Sequence, residues 1–303
     1  MKKLKGCFKG CLIVILSIFV IWIGFQVYRF VSDRITGHRF LGDINASFNW
    51  SRDGRYLFYL SKNNINILDT KDYSTKSFKY TDGGDTYDVL PDNKSIVYLN
   101  ETNSNIILKN LYTCKSKILF RGIKTYGYYK MIFYINKSKC LFFDGYNTYL
   151  LDAGRKIHQI ILPSPFSIEK MNLNLSGFCY IDNNKREIYY YDLNRKKSMR
   201  LDMPYSVCIY YVKDNKILYY NYNNDSQNEY MNCYDMDTHC TYKTPVDFVS
   251  NAVPILSYNN NHYATQISIP GDFPFVNHQR ADIYRTPKSL VKKINRLLNS
   301  GIN

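Results

Sequence analysis

Apolar and polar positions alternate in short runs along most of the chain, and Asp, Asn and Gly punctuate the runs. In "FNWSRDGRYLFYL", residues 48–60, an aromatic-rich run, an Asp-Gly pair and a second apolar run follow one another. Period-two alternation broken by such a pair predicts two antiparallel strands joined by a tight turn, because Asp, Asn and Gly tolerate the positive φ that these turns need. "NINILDT" continues as a third strand. The same order returns as "DVLPDNKSIVYL" with "NIILKNLYT", "MIFYINKSKCLFF" with "NTYLLDAGR", "NLNLSGFCYI" with "EIYYYDLNR", and "IYYVKDNKILYY" with "EYMNCYDMDT"; "PILSYNNNHYATQI" with "ADIYRT" is a degenerate sixth copy.

The first-turn residues fall at Asp53, Asp92, Asn136, Ser176, Asp214 and Asn260. The third strands end at Asp69, Asn110, Asp152, Asp192 and Asp235, which are 41, 42, 40 and 43 residues apart. A period near forty with several strands per unit predicts propeller blades, and the absence of a sustained 3.6-residue period in the body excludes helical repeats. "RFLGDINASFNWSRD" mirrors "SFKYTDGGDTYDVLPD". If residues 76–80 form the outer strand of the first blade, residues 38–41 form an outer strand with no blade before it. That strand is expected to complete the last blade and so remove the free edges of an open ring. The expected fold is all-β: a six-bladed β-propeller of four-stranded blades over 38–286, closed by an N-terminal strand.

The stretch "WSRDGRYLFY" followed by "INILDT" resembles the TolB-type, WD-repeat-like propeller unit, closely in the first copy and only in rhythm afterwards. The resemblance implies a propeller used as an interaction platform, often extracytoplasmic, with Trp50, Ser51, Asp53 and Gly54 in structural roles. It carries over no catalytic residue.

The two ends break the pattern. Residues 11–27 carry no charge and only one strongly polar side chain, Gln26, and follow Lys2, Lys3, Lys5 and Lys9. This predicts a retained transmembrane signal anchor over 11–31 behind a basic cytoplasmic tail of residues 1–10, with the bilayer as partner and the propeller outside the cytoplasm. Near the other end, Leu290, Val291, Ile294, Leu297 and Leu298 form one helical stripe with Lys292, Lys293 and Arg296 off it. A helix over 287–303 packed on the propeller rim is expected, and contact of its basic face with a bilayer or partner is the alternative.

Charge and cysteines narrow the function classes. The formal net charge is +15, but residues 1–39 hold seven Lys/Arg and one Asp, residues 285–303 hold five Lys/Arg and no acid, and residues 40–284 balance to +4. Charge gathered at two ends of a nearly neutral body suits a membrane-facing surface, not a phosphate-tracking groove, so no nucleic-acid partner is expected. The eight cysteines show no metal-ligand spacing, and no cofactor is expected. Cys233 and Cys240 flank "DMDT" and are candidates for a cross-hairpin disulfide.

No nucleophile elbow, P-loop or zincin motif is present. "TDGGDTYD", residues 81–88, leads into the innermost strand of the second blade. Propeller ligands sit at that mouth of the channel, so Asp82, Asp85 and Asp88 are candidate ligand-binding residues. Asn45, Tyr128, Glu169, Ser206 and Asn251 take the same position in the other copies. Two readings stand: a protein- or ligand-binding module with an unidentified protein or envelope partner, or a propeller-type hydrolase or lyase acting on sugars or lactones with a channel-bound cation.

Overall fold

The computed structural model describes residues 17–28, 39–44, 48–61, 63–81, 84, 86–125, 130–136, 138–152, 157–162, 166–205, 207–221, 230–245, 254–270 and 277–299. They form a β-propeller with a short C-terminal helix. Five blades are each built from four consecutive antiparallel strands. Blade 1 takes β2 (Phe48–Trp50), β3 (Tyr56–Ser61), β4 (Asn64–Asp69) and β5 (Thr75–Lys79); blade 2 takes β6 (Tyr87–Val89), β7 (Ser95–Asn100), β8 (Asn105–Asn110) and β9 (Ser116–Phe120). Blade 3 has β10 (Met131–Asn136), β11 (Lys139–Phe143), β12 (Thr148–Asp152) and β13 (His158–Ile160). Blade 4 has β14 (Phe166–Met171), β15 (Gly177–Asp182), β16 (Glu187–Asp192) and β17 (Lys197–Leu201), and blade 5 has β18 (Val207–Lys213), β19 (Lys216–Asn221), β20 (Tyr230–Asp235) and β21 (Cys240–Pro245).

The expected sixth copy forms a composite sheet. Its strands β22 (Pro254–Leu256), β23 (His262–Pro270) and β24 (Asn277–Arg285) are joined by β1 (Arg39–Ile44), which lies antiparallel to β24 with Arg39 opposite Ile283. It packs on blade 1 through Ala264 and Ile283 against Phe48, Trp50 and Leu57, and on blade 5 through Leu256 and Tyr263 against Tyr211 and Leu218.

Each second strand is apolar on both sides because it is sandwiched between neighbouring sheets. Leu57 and Tyr59 of β3 face the composite sheet, whereas Phe58 and Leu60 face blade 2. Ile96 and Tyr98 of β7 turn back to blade 1, and Val97 and Leu99 turn forward to blade 3. Cys140 and Phe142 against Leu141 and Phe143 in β11, and Phe178 and Tyr180 against Cys179 and Ile181 in β15, repeat the division. The outer strands β5 and β9 are largely exposed, which is why they read as weakly apolar.

The turns are as regular as the strands. At four of the third-to-fourth-strand turns an Asp or Asn carboxamide or carboxylate accepts the backbone N–H two residues on, and the residue four places on has positive φ: Asp69 with Tyr73, Asn110 with Cys114, Asp192 with Lys196, Asp235 with His239. These are Asx turns closed by a left-handed residue.

One expectation changes at this level, and another falls partly outside the described residues. Of the anchor expected over 11–31, helix α1, residues 17–28, is described, and residues 11–16 and 29–31 lie outside the described residues. No helix among the described residues is long and apolar enough to cross a membrane. Cys233 and Cys240 do not face one another: Cys233 sits opposite Tyr242 and Cys240 opposite Asp235, and both are free thiols. The C-terminal helix α2 (Lys288–Asn299) does pack on the propeller, burying Leu290, Ile294 and Leu297 against Tyr210, Met231 and Tyr263.

Candidate functional site

The innermost strands of the sheets surround the propeller axis, and antiparallel order puts all first-to-second-strand turns at one end of it. That end is built from a repeated turn. In blade 1 the Ser51 hydroxyl donates to Asp53 Oδ1 (2.6 Å) and accepts from the Tyr56 N–H (2.8 Å), while Gly54 N–H donates to Ser51 O (2.8 Å). The composite sheet repeats this with Ser257 donating to Asn259 (2.8 Å), His262 N–H donating to Ser257 Oγ (3.1 Å) and Asn260 N–H donating to Ser257 O (2.9 Å). The turn acceptor is therefore Asn259, not Asn260. In blade 4 it is Asn174, which accepts from Ser176 N–H (2.9 Å).

These turns are stitched to one another around the ring. Asn259 Nδ2 donates to Asp53 O (3.1 Å), Asn93 Nδ2 to Asp53 Oδ2 (2.8 Å), Asn172 Nδ2 to Asp214 O (2.9 Å) and Tyr211 Oη to Asn260 Oδ1 (2.9 Å). Gly54 is required twice over: its φ is +69°, and a Cβ there would lie 2.6 Å from Asn259 N. Burial works against ionised Asp53, but the hydrogen bonds from Ser51, Arg55 and Asn93 outweigh it and hold its carboxyl below the usual range.

A second set of contacts links blades 1, 2 and 3. Arg52 Nη2 of blade 1 donates to Tyr134 O of blade 3 (2.7 Å), and Tyr134 N–H donates to Asp88 Oδ2 of blade 2 (2.8 Å), whose Oδ1 accepts Val89 N–H (2.8 Å). Burial pushes the Asp88 carboxyl above its ordinary value, with the two N–H donors and the Arg52 charge opposing. Tyr258 of the composite sheet lies within electrostatic reach of both. Burial, reinforced by the Asp88 charge and opposed by Arg52, lifts its phenol to about 12. Four sheets thus contribute Arg52, Asp88, Tyr134 and Tyr258 to one latch.

Of the expected mouth residues, the structure places two. Asp88 has both carboxylate oxygens occupied by backbone N–H groups. Glu169, on β14 at an irregularity of its pairing with β15, is half-buried; burial raises its pKa, opposed by the Ser167 hydroxyl at 3.3 Å and by Lys170. Asn45, Asp82, Asp85, Tyr128, Ser206 and Asn251 lie outside the described residues.

At the opposite end, where the loops enter the innermost strands, Lys130 Nζ pairs with Glu101 Oε1 (2.9 Å), and Thr86 Oγ1 donates to Lys130 O (3.4 Å). Tyr146, Ile161 and Tyr205 are exposed there, by 61%, 89% and 39%. Among the described residues no group of three or more His, Cys, Asp or Glu is arranged to hold a metal ion.

Arg52, Tyr134 and Tyr258 are absent from the residues expected from sequence. Arg52 and Tyr258 hold the same place, one before the turn acceptor, and that equivalence was hidden by setting the sixth copy one residue out of register.

No family model and no curated protein matches the chain. Among solved structures, an oligogalacturonate lyase in complex with manganese and the oligogalacturonate lyase of Vibrio parahaemolyticus each align with a TM-score of 0.51 at 12% identity, over 80% of this chain and 77% of theirs. Hsv2 of Kluyveromyces lactis aligns with a TM-score of 0.50 at 12% identity, over 74% of this chain and 70% of its own. TolB of Acinetobacter baumannii aligns at 0.47 and 16%, over 84% and 67%. At these identities the likeness shows the propeller fold alone.

Proposed function

We propose that the chain is a membrane-tethered propeller that binds a protein or envelope component through the end carrying Tyr146, Ile161 and Tyr205, with the composite sheet serving as a sixth blade. The observation that carries the reading is the contrast between the two ends. One is tied together near the axis by hydrogen bonds between the turns of different sheets, and its exposed Tyr112 and Ile157 lie at the outer third-to-fourth-strand turns. The other leaves Tyr146, Ile161 and Tyr205 in water at the end that also carries the Glu101–Lys130 pair. Exposed apolar residues among polar ones suit a partner surface. The apolar run at 11–27 supports tethering, with the propeller on the extracytoplasmic side. Crosslinking of the full chain in its own membrane tests the reading. Wild type should give a discrete crosslinked species that the Tyr146→Ser, Ile161→Ser, Tyr205→Ser triple variant loses. Crosslinks that survive the triple variant, or that map to the turn end, would overturn it.

Glu169 favours a second reading. A desolvated carboxyl on an innermost strand suits general acid or base work, and the oligogalacturonate lyases share the fold. If the chain is such an enzyme, oligogalacturonate with manganese should yield a product bearing a new carbon–carbon double bond, and Glu169→Gln should abolish its formation.

A further inference from the structure

Helix α2 has two unlike faces. Leu290, Ile294 and Leu297 are buried between blade 5 and the composite sheet, so its apolar stripe is spent on the fold and is not available to insert elsewhere. On the outer side Lys288, Lys292 and Arg296 are exposed and follow one another at intervals of four, which aligns three positive charges in a single row along the helix. The helix contains no acid, and none of the ion pairs among the described residues reaches the row. Like charges at this spacing oppose helix formation. The row is therefore a cost to the isolated fold.

Its placement supplies the reason. β24 ends at Arg285, and Thr286 and Pro287 lead directly into α2. β1 begins at Arg39, opposite Ile283, two residues from that same end of β24. The chain that follows the basic and apolar N-terminal segment thus enters the propeller where α2 leaves it. We propose that the row Lys288, Lys292 and Arg296 docks on the surface of an anionic phospholipid bilayer, holding the propeller against the membrane without inserting into it. This deepens the tethered reading, although the row acts through headgroup charge and the tether through apolar burial.

The test uses the full chain with vesicles of phosphatidylcholine alone or mixed with phosphatidylglycerol. It reads flotation together with the rate at which an amine-acetylating reagent modifies Lys288 and Lys292, followed by mass spectrometry. On the mixed vesicles acetylation should slow several-fold relative to phosphatidylcholine, and raised salt should restore it. The Lys288→Gln, Lys292→Gln, Arg296→Gln variant, whose changes are all on exposed positions, should melt normally and lose any flotation specific to the anionic vesicles. Equal acetylation on both vesicles, with the chain floating on both, would overturn the docking row and leave the tether standing. Flotation on anionic vesicles only, abolished by the variant, would support the row and remove the tether. Flotation on neither would remove both. Protection by soluble polyphosphate equal to that by the vesicles would overturn a lipid surface in favour of a polyanionic partner.

Discussion

At the scale of the residue, two positions of positive φ should respond in opposite ways to changes in Cβ. Lys196 is exposed at φ +54° in a turn that Asp192 already organises, so Lys196→Gly relieves a left-handed conformation and should raise stability by up to about 1 kcal/mol in a urea titration. Gly54→Ala meets both a positive φ and the Asn259 backbone and should cost about 2 kcal/mol or more by the same measure. His262 is the residue that ties stability to acidity. It is buried between the composite sheet and blade 1, with Nε2 3.3 Å from Tyr73 Oη and Nδ1 unpartnered, and burial together with the facing Arg285 charge lowers its pKa to about 4. The unfolded chain takes up this proton near pH 6.5 and the folded one only near 4. This group's contribution is therefore complete above pH 6.5 and is lost as pH falls through that window, by about 3 kcal/mol in all. Urea midpoints at pH 7 and pH 4.5 should differ more for wild type than for His262→Gln; equal differences would show that other groups set the acid limit.

At the scale of the element, α2 is held by apolar packing on one face and by the hydrogen bonds from Asn260 Nδ2 to Asn295 Oδ1 and from Lys293 Nζ to Pro245 O. Ile294 is fully buried in the seam between blade 5 and the composite sheet, and Ile294→Ala should lower stability by about 2–4 kcal/mol, read by thermal melting, through the cavity it leaves. The helix was legible because it buries one face at helical spacing, and the second strands β3, β7, β11 and β15 because each is a short, continuously apolar run bounded by turn residues. The Asx turns at Asp69, Asn110, Asp192 and Asp235 were legible because their chemistry is local. What escaped was set by distance in sequence. Nothing near Arg52 announces that it reaches Tyr134 two blades on, and nothing near Asp88 reveals that backbone N–H groups will fill its carboxylate. In the sixth copy, Asn259, Asn260 and Asn261 are alike in sequence, and only the Ser257 hydrogen bonds separate them.

At the scale of the whole molecule, β1 decides whether the composite sheet has a free edge. A chain lacking residues 1–44 leaves β24 unpaired along its outer side, and an unpaired strand recruits other chains. Such a variant should elute from a sizing column as concentration-dependent oligomers where the full chain does not. The pairing of β1 with β24 also orders events during synthesis. β1 emerges from the ribosome before any blade, yet its partner emerges after all five, with Arg39 and Ile283 almost the whole propeller apart. The first strand made is the last one seated, so each nascent molecule carries an unsatisfied strand for most of its translation, and the time between those two moments is when a holding chaperone would matter to its yield.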